Sequence, residues 1–352
     1  MSYRGQRTTL AQVAAATGLS LATVSKVLNG RSGISEEKRR TVESALVEYG
    51  YVRRPRAESS RSQRYIDVVM AGLDGSWPAS VLSAVEATAY MHGAHVVVST
   101  SEHPEAWPGA RHQDWSDVLV ERGSSGALLG LVDLTDAQQV RLRRAGVPVV
   151  LIHPLRDPPT GVASVGANTW AGAYDATTHL VSLGHRRIAL VTGPDRHLSE
   201  QARIAGFRSA MEAAGLVVPT EFVRHGSYDR ASGKVIVAEL VRLRARPSAL
   251  FICSDHMAIG GYEALADAGL RVPDDMSVVG FDDLPEARWV YPALTTVRQP
   301  LKDMGRAAVE LLLRLMNGDE VDSRRIEFST TLVLRQSAAP PPRSGASRGR
   351  VR

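Results

Sequence analysis

The sequence predicts a small all-α head followed by an α/β body of two doubly wound parallel-sheet subdomains. Three observations carry this. Residues 8–52 read as short helices punctuated by Gly and Asn-Gly. From residue 65 onward, continuous apolar runs of strand length alternate with segments of helical period. That alternation occurs as two successive series. A chain of 352 residues has room for two or three domains.

In the head, Thr9 and Gln12 fit a capping box ahead of Leu10, Val13 and Ala14, an apolar stripe that Gly18 stops. Ser20 is a suitable N-cap for a second helix with Val24, Val27 and Leu28 inward, ended by Asn29-Gly30. Ser35 caps a third, with Val42, Ala45, Leu46 and Tyr49 inward and Gly50 after it. Two short helices joined by a tight glycine turn and braced by a third make a helix-turn-helix. In that motif the second helix enters a DNA major groove and its first residues meet base edges. Leu21 and Ala22 offer apolar contact to thymine methyls; Ser25 and Lys26 follow one turn on, Lys26 as a donor to guanine. Thr9, Ser20, Thr23 and Asn29 suit phosphate contacts, which fix register without reading sequence.

In the body, the first series of strands is predicted at 66–71, 95–100, 126–131 and 147–152, and the second at 187–192, 249–253 and 277–281. Helical segments lie at 80–91, 136–145, 171–183, 200–214, 255–268 and 302–316. Uninterrupted apolar strands mean sheets buried on both faces, with ligands held in a cleft at the strand carboxyl ends.

Charge is distributed unevenly. Residues 1–64 hold twelve basic and five acidic side chains, and residues 335–352 five arginines and no acid, against a whole-chain net charge of +5. The middle is therefore acidic, and a basic head on an acidic body suggests a polyanionic partner. From charge alone, a solvated basic face is the alternative. The single cysteine, Cys253, excludes an internal disulfide and fits a reducing cytoplasm. No signal peptide or apolar run of membrane length is found, so a cytoplasmic, nucleoid-associated protein is expected. The sequence carries no phosphate-binding glycine fingerprint, metal-ligand cluster or nucleophile elbow. No enzyme, cofactor or metal is expected.

The stretch "TLAQVAAATGLSLATVSKVLNG…ISEEKRRTVESALVEYGYV" resembles the DNA-binding head of the lactose-repressor/galactose-repressor (LacI/GalR) family. The resemblance extends through "LVSLGHRRIALVTGP", "ALFICSDHMAIGGYEALADAGLRVPDDMSVVGFDDLPEARW" and "PALTTVRQPLKDMGRAAVELLLRLMNG" to about residue 337. It implies a regulatory body similar to periplasmic sugar-binding proteins. Leu21, Ala22 and Lys26 then occupy the family's specificity positions. Lys26 stands where arginine is usual, and a point charge reads guanine more loosely than a planar fork.

The join "VRRPRAESSRSQR" reads by itself as a charged linker. The resemblance implies a hinge helix here, but serine stands near position 60 where the family wedges a leucine into the minor groove. Without an apolar wedge to unstack a base step, Arg56 and Arg61 are expected to contact the minor groove, with weaker bending. A flexible tether is the alternative.

The resemblance also implies the effector site. Arg203 matches an arginine that binds effector oxygens, and Asp282 an effector-binding aspartate. Ser254 and His256 fall at polar contact positions, and Asp255 between them is expected to cap a helix. Tyr228 matches an aromatic wall. Trp77, Trp170 and Trp289 fall in loops at the cleft edge, with ordinary packing as the alternative for each. Asp74 and Asn168 are polar partners, and His153 replaces an acidic residue. Flat aromatic faces beside Asp and Arg favour a neutral sugar; a purine or sugar phosphate is the competing class. A solute-binding protein for transport would lack the head.

The expected domains are 1–52 for the head, 53–64 for the hinge, 65–337 for the effector-binding and dimerisation body, and a disordered tail at 338–352. Within the body, one subdomain takes 65–161 plus 293–320 and the other 162–292 plus 321–337. The apolar faces of 80–91 and 302–316 are expected to form a homodimer interface. The expected partners are double-stranded operator DNA, a sugar effector and a second copy of the chain, with no membrane.

Overall fold

The computed structural model describes residues 10–28, 34–49, 64–101, 113–321 and 323–342. The chain divides into two compact units, residues 1–62 and 63–352.

In the first unit, α1 (Leu10–Thr17) ends at Gly18, whose φ of +64° a side chain would resist. The Leu19 N–H then returns to the Ala14 carbonyl at 3.2 Å, which closes the helix end. Ser20 caps α2 (Leu21–Leu28), its Oγ accepting the Thr23 N–H at 3.2 Å. α3 (Glu36–Glu48) follows Ser35. Val13, Ala14, Val24, Val27, Val42 and Ala45 form the core, with Leu19, Ile34 and Leu46 against it. Tyr49, expected inward, is 46% exposed, since it lies past the end of α3, where the chain leaves the helix. The expected capping residue Thr9 lies outside the described residues.

The second unit begins with β1 (Arg64–Met70), α4 (Ser76–Met91), β2 (Ala94–Thr100), α5 (Trp115–Arg122), β3 (Gly126–Gly130), α6 (Asp136–Arg144), β4 (Val149–Ile152) and β5 (Ala163–Ala167). It continues with α7 (Thr169–Ser182), β6 (Ile188–Thr192), α8 (Leu198–Ala213), β7 (Val223–His225), α9 (Arg230–Leu240), β8 (Ala249–Ile252), α10 (Asp255–Asp267), β9 (Ser277–Asp282) and β10 (Thr295–Arg298). Then come α11 (Leu301–Asn317), β11 (Arg325–Phe328) and β12 (Thr331–Val333).

Two six-stranded sheets result. The first lobe's order is β11-β5-β4-β3-β1-β2, with every neighbour parallel. The second lobe's order is β12-β10-β9-β8-β6-β7, parallel except for the edge strand β12. In the strand interiors the pleat sends alternate residues to opposite helical layers. In β1, Ile66, Val68 and Met70 join the core beneath α4 and α11, while Val69 joins the one beneath α5 and α6.

The crossovers correct the expected subdomain boundaries. Strand 163–167 belongs to the first sheet rather than the second, 295–298 to the second, and 325–328 to the first. An apolar run of five residues reports burial, but not which of two sheets pairs with it. The chain passes between lobes after β5, after β10 and between β11 and β12.

Two further expectations change. The apolar faces of α4 and α11 are used inside the lobe: Val81, Val85, Met304, Val309 and Leu312 are buried in one cluster. Gly305 lets the helices approach, since a Cβ there would meet the Val81 carbonyl at 2.9 Å. The C-terminal segment is ordered through residue 342. Ala339 donates its N–H to Ser277 Oγ and accepts from His185 Nε2, so disorder from 338 onward does not hold. The rest of the expected tail lies outside the described residues.

Candidate effector cleft and DNA-reading helix

On α2, Val24 and Val27 are buried, leaving Leu21 (52% exposed), Ala22 and Lys26 on the outer face. The Ser20 and Thr23 hydroxyls stand 2.9 Å apart at its N-terminus, where free N–H groups and the helix dipole attract anions. Ser25 lies on the same helix. Asn29, Arg56 and Arg61 lie outside the described residues, as does the 53–63 join.

In the second unit, a cleft of about 830 Å³ opens between the carboxyl ends of the two sheets. It brings together Asp74, Trp77 and His153 from the first lobe with Arg203, Tyr228, Ser254, His256 and Asp282 from the second. Four of the five non-glycine residues with positive φ among the described residues line it: Leu131, His153, Tyr228 and Asp282, with Asp283 the fifth. Such conformations cost of order 1–3 kcal/mol each and collect at functional sites.

Arg203 is 3% exposed and held from three sides. Its Nη1 donates to Glu200 Oε1 at 2.6 Å, one turn earlier on α8, and to the Cys253 carbonyl at 2.8 Å; the guanidinium carbon lies 4.0 Å from the Phe281 ring centroid. Burial opposes its charge, but Glu200 and Asp282 override that and hold the guanidinium firmly protonated. Glu200 is fixed in turn, because Oε2 accepts from the Thr192 hydroxyl and, at 2.9 Å, from the Gly193 N–H. Arg203 Nε is buried and unpartnered among the described residues, as is Gln299 Oε1.

Asp282 accepts from Gln299 Nε2 at 2.6 Å. Burial raises its carboxyl to about 7, with Arg203 and Gln299 pulling the other way. His153 is lowered to about 3 by burial, then by Arg203 and His197, so it stays neutral near pH 7. Its ring meets Trp77 edge-on at 5.9 Å. Tyr228 stacks with His197 at 5.9 Å, with its hydroxyl 3.1 Å from Nδ1. Burial pushes the Tyr228 phenol up. Gly193 permits this arrangement, since a Cβ there would fall 2.2 Å from the Tyr228 ring.

Three expected residues stand elsewhere. Asn168 caps α7, accepting the Ala171 N–H at 2.9 Å. Trp170 stacks on Tyr174 at 5.2 Å and is 41% exposed. Both border a smaller cavity of about 400 Å³ at the crossovers. Trp289 follows the 3-10 turn Pro285–Arg288 and is 74% exposed. Asp255 is not a cap: its two oxygens accept from the Leu284 N–H, just after β9, and from the Thr296 hydroxyl on β10. Sequence reasoning did not reach Trp115, Asp133, Arg196, His197 and Gln299, which also line the cleft. Among the described residues, no cluster of metal-ligating side chains occurs and no helix is long and apolar enough to cross a membrane.

A family model described as bacterial regulatory proteins, lacI family, matches residues 9–54, and one for a periplasmic binding protein-like domain matches 177–338. The chain is 37% identical to the HTH-type transcriptional regulator MalR of Streptomyces coelicolor over 346 residues, 95% of this chain and 98% of that one. A solved complex of the transcriptional regulator CelR with cellobiose matches with TM-score 0.71 and 30% identity, covering 94% of this chain and 100% of that one. A Lac repressor dimer bound to operator and the anti-inducer ONPF matches with TM-score 0.73 and 28% identity, covering 95% and 100%.

Proposed function

The chain belongs to the LacI family of bacterial regulatory proteins, DNA-binding transcriptional regulators rather than enzymes, and from that premise we propose that it is a sugar-controlled repressor. Two copies place two heads on a pseudo-palindromic operator, each reading one half-site through Leu21, Ala22 and Lys26. Ser20 and Thr23, with Thr9, Ser25 and Asn29, set the register on phosphates and neighbouring bases. Arg56 and Arg61 in the leucine-free join supply minor-groove charge, and the operator is bent less than by a wedge. Exposed Tyr90, Met91 and Val98 on the first lobe give a twofold partner an apolar surface.

The observation that carries the effector reading is the floor of the cleft. A buried arginine whose own Nε is unpartnered and a buried carboxyl beside the unpartnered Gln299 Oε1 line the cleft together with Trp77 and Tyr228. Ring hydroxyls satisfy such groups, and C–H faces pack on Trp77 and Tyr228. A relative of the same fold was solved with cellobiose, which supports the class. Regulation then needs only that sugar affinity differ between operator-competent and incompetent states, with a coupling of roughly 1–3 kcal/mol giving about a 5–150-fold change in operator affinity.

Thermal-shift screening of monosaccharides, disaccharides, nucleosides and sugar phosphates tests this, followed by operator binding with the hit. A sugar should raise the melting temperature and change operator affinity. Stabilisation by a nucleoside or sugar phosphate alone would overturn the effector class.

A further inference from the structure

We propose that the amino edge of the second sheet docks on the phosphate backbone of duplex DNA, independently of the helix-turn-helix head. This edge is at the other end of its lobe from the cleft, which opens at the strand carboxyl ends. Strand register places the groups: Ile188, Ala249 and Ser277 stand side by side at the starts of β6, β8 and β9. Arg186 and Arg187 immediately precede β6, and "VRLRARPS" (241–248) leads from α9 into β8. In that stretch Val241 and Leu243 pack on the lobe's core, and Arg242, Arg244 and Arg246 alternate with them on the outside. All five arginines are exposed. Arg187 Nε donates to the Arg246 carbonyl at 3.0 Å, and the Ser248 N–H donates to the Arg187 carbonyl at 2.8 Å, so the two segments are held together.

These charges are not consumed inside the lobe. The hydrogen bonds of Arg186 and Arg187 go to main-chain carbonyls rather than to carboxylates. The neighbouring acids Asp274 and Asp275 are each taken by Arg271, at 3.0 Å. Exposed Glu239, a turn before Arg242, offsets one charge of the five. One cation at the carboxyl end of α7 and one at that of α9 would serve the helix dipoles, so most of the cluster is left for a partner.

The last described residues run to the same edge. Ala339 donates to Ser277 Oγ at 3.0 Å and lies 2.9 Å from His185 Nε2, and a Cβ on Gly184 would fall 3.6 Å from Pro341 Cδ. Residues 343–352, outside the described residues, follow with four arginines and no acid. None of the large exposed apolar side chains among the described residues falls in 181–187 or 241–248. Protein interfaces have apolar and aromatic cores, so this edge fits a polyanion better than a protein face. Guanidinium forks match phosphate oxygens, and duplex DNA presents about one such charge per 1.7 Å of its axis. It is also the polyanion that the head keeps at high local concentration.

The test uses full-length protein saturated with a short, bead-bound operator duplex, to which a random duplex with a second label is offered at low salt. Wild type should capture the random duplex and release it as salt rises from about 50 to 200 mM. The variant Arg186→Gln/Arg242→Gln/Arg244→Gln/Arg246→Gln should capture about ten-fold less. Its retained hold on the operator shows that it is folded. With random duplex alone, the variant's salt slope should be shallower by about two to four, since each phosphate contact contributes about 0.9. No capture by wild type, equal capture by the variant, or an unchanged slope overturns the proposal, as does preference for single-stranded RNA over the duplex. A wild type that holds no operator would count against the repressor reading instead, and the salt slope would still decide this one.

Discussion

Asp255 Oδ2 accepts the main-chain N–H of Leu284 at 2.8 Å, and its Oδ1 accepts the Thr296 hydroxyl at 2.6 Å. The residue so held is a link between lobes. Leu284 follows β9 of the second sheet, yet its side chain is buried in the first lobe's core with Trp77, Met70 and Leu301. Asp255 thus ties the second lobe's loop to the first lobe's packing, and the loop carries Asp282 at its start.

Truncating that link should destabilise the body and loosen the cleft together. Leu284→Ala removes a fully buried side chain, and such changes cost about 2–5 kcal/mol. Asp255→Ala should cost on the order of 2–4 kcal/mol, because it strands a buried N–H and a buried hydroxyl. Asp255→Asn, which keeps one acceptor, should cost less. Urea unfolding measures all three. An Asn variant as damaging as the Ala variant would mean that one acceptor oxygen cannot hold the link and that both hydrogen bonds are needed.

Much of this architecture was legible in the sequence, and the failures have physical causes. Strand and helix periods located most elements, because a parallel strand buried on both faces is apolar at every position, as in "IALVT". Which sheet a strand joins depends on crossovers that no local pattern encodes, so the expected subdomain bounds place residues 163–167, 295–298 and 325–328 in the wrong lobes. The cleft residues that were found, such as Arg203 and Asp282, sit at strand ends or a helical turn beyond them, where family position fixes geometry. Trp170 and Trp289 were misplaced because a tryptophan near a strand end can equally point outward; one stacks on Tyr174 and the other is exposed. Trp115 was missed because a residue opening an amphipathic helix gives no signal of the layer it covers. The positive φ at His153 and Tyr228 had no glycine to announce it.

The buried Glu200–Arg203 pair gives a second prediction. Removing one partner of a buried ion pair leaves an uncompensated charge and costs about 3–5 kcal/mol. Glu200→Ala should approach that loss, since Thr192 and Gly193 also lose their acceptor. Arg203→Met should abolish the effector's influence on operator binding. The double variant Glu200→Met/Arg203→Met should be more stable than Glu200→Ala, since no charge is left stranded. Chemical unfolding of the three variants decides this; a double variant no better than Glu200→Ala would show that the Thr192 and Gly193 bonds dominate.

Asp282 predicts a pH dependence. Burial raises its folded pKa to about 7, against about 3.9 in an unfolded chain. A raised acid favours folding most below its unfolded pKa, and that contribution disappears as pH rises through the folded value. The window is therefore about pH 4 to 7, with stability falling as pH increases. The difference amounts to at most about 4 kcal/mol. Arg203, Glu200 and Gln299 face the same carboxyl, and Asp255, itself raised by burial and by Asp282, titrates beside it. Asp282→Asn should gain stability relative to wild type across this window. Parallel curves for the two proteins from pH 4 to 7.5 would contradict the raised acid.

Lys26 carries the last prediction, about which face of the head reads DNA. It is exposed on α2 beside Leu21 and Ala22, with Val24 and Val27 turned into the core, so substituting it leaves the head's packing intact. If Lys26 donates to guanine, Lys26→Ala should lose about 1–3 kcal/mol on operator DNA and much less on random DNA. Lys26→Arg should tighten operator binding, because a planar fork makes two bonds to guanine O6 and N7 where an ammonium makes one. A phosphate contact predicts something else: equal losses on both DNAs and a salt slope reduced by about one. Titrating operator and random duplexes at two or three salt concentrations separates these outcomes. Equal losses with a shallower slope would move Lys26 from reading bases to setting register.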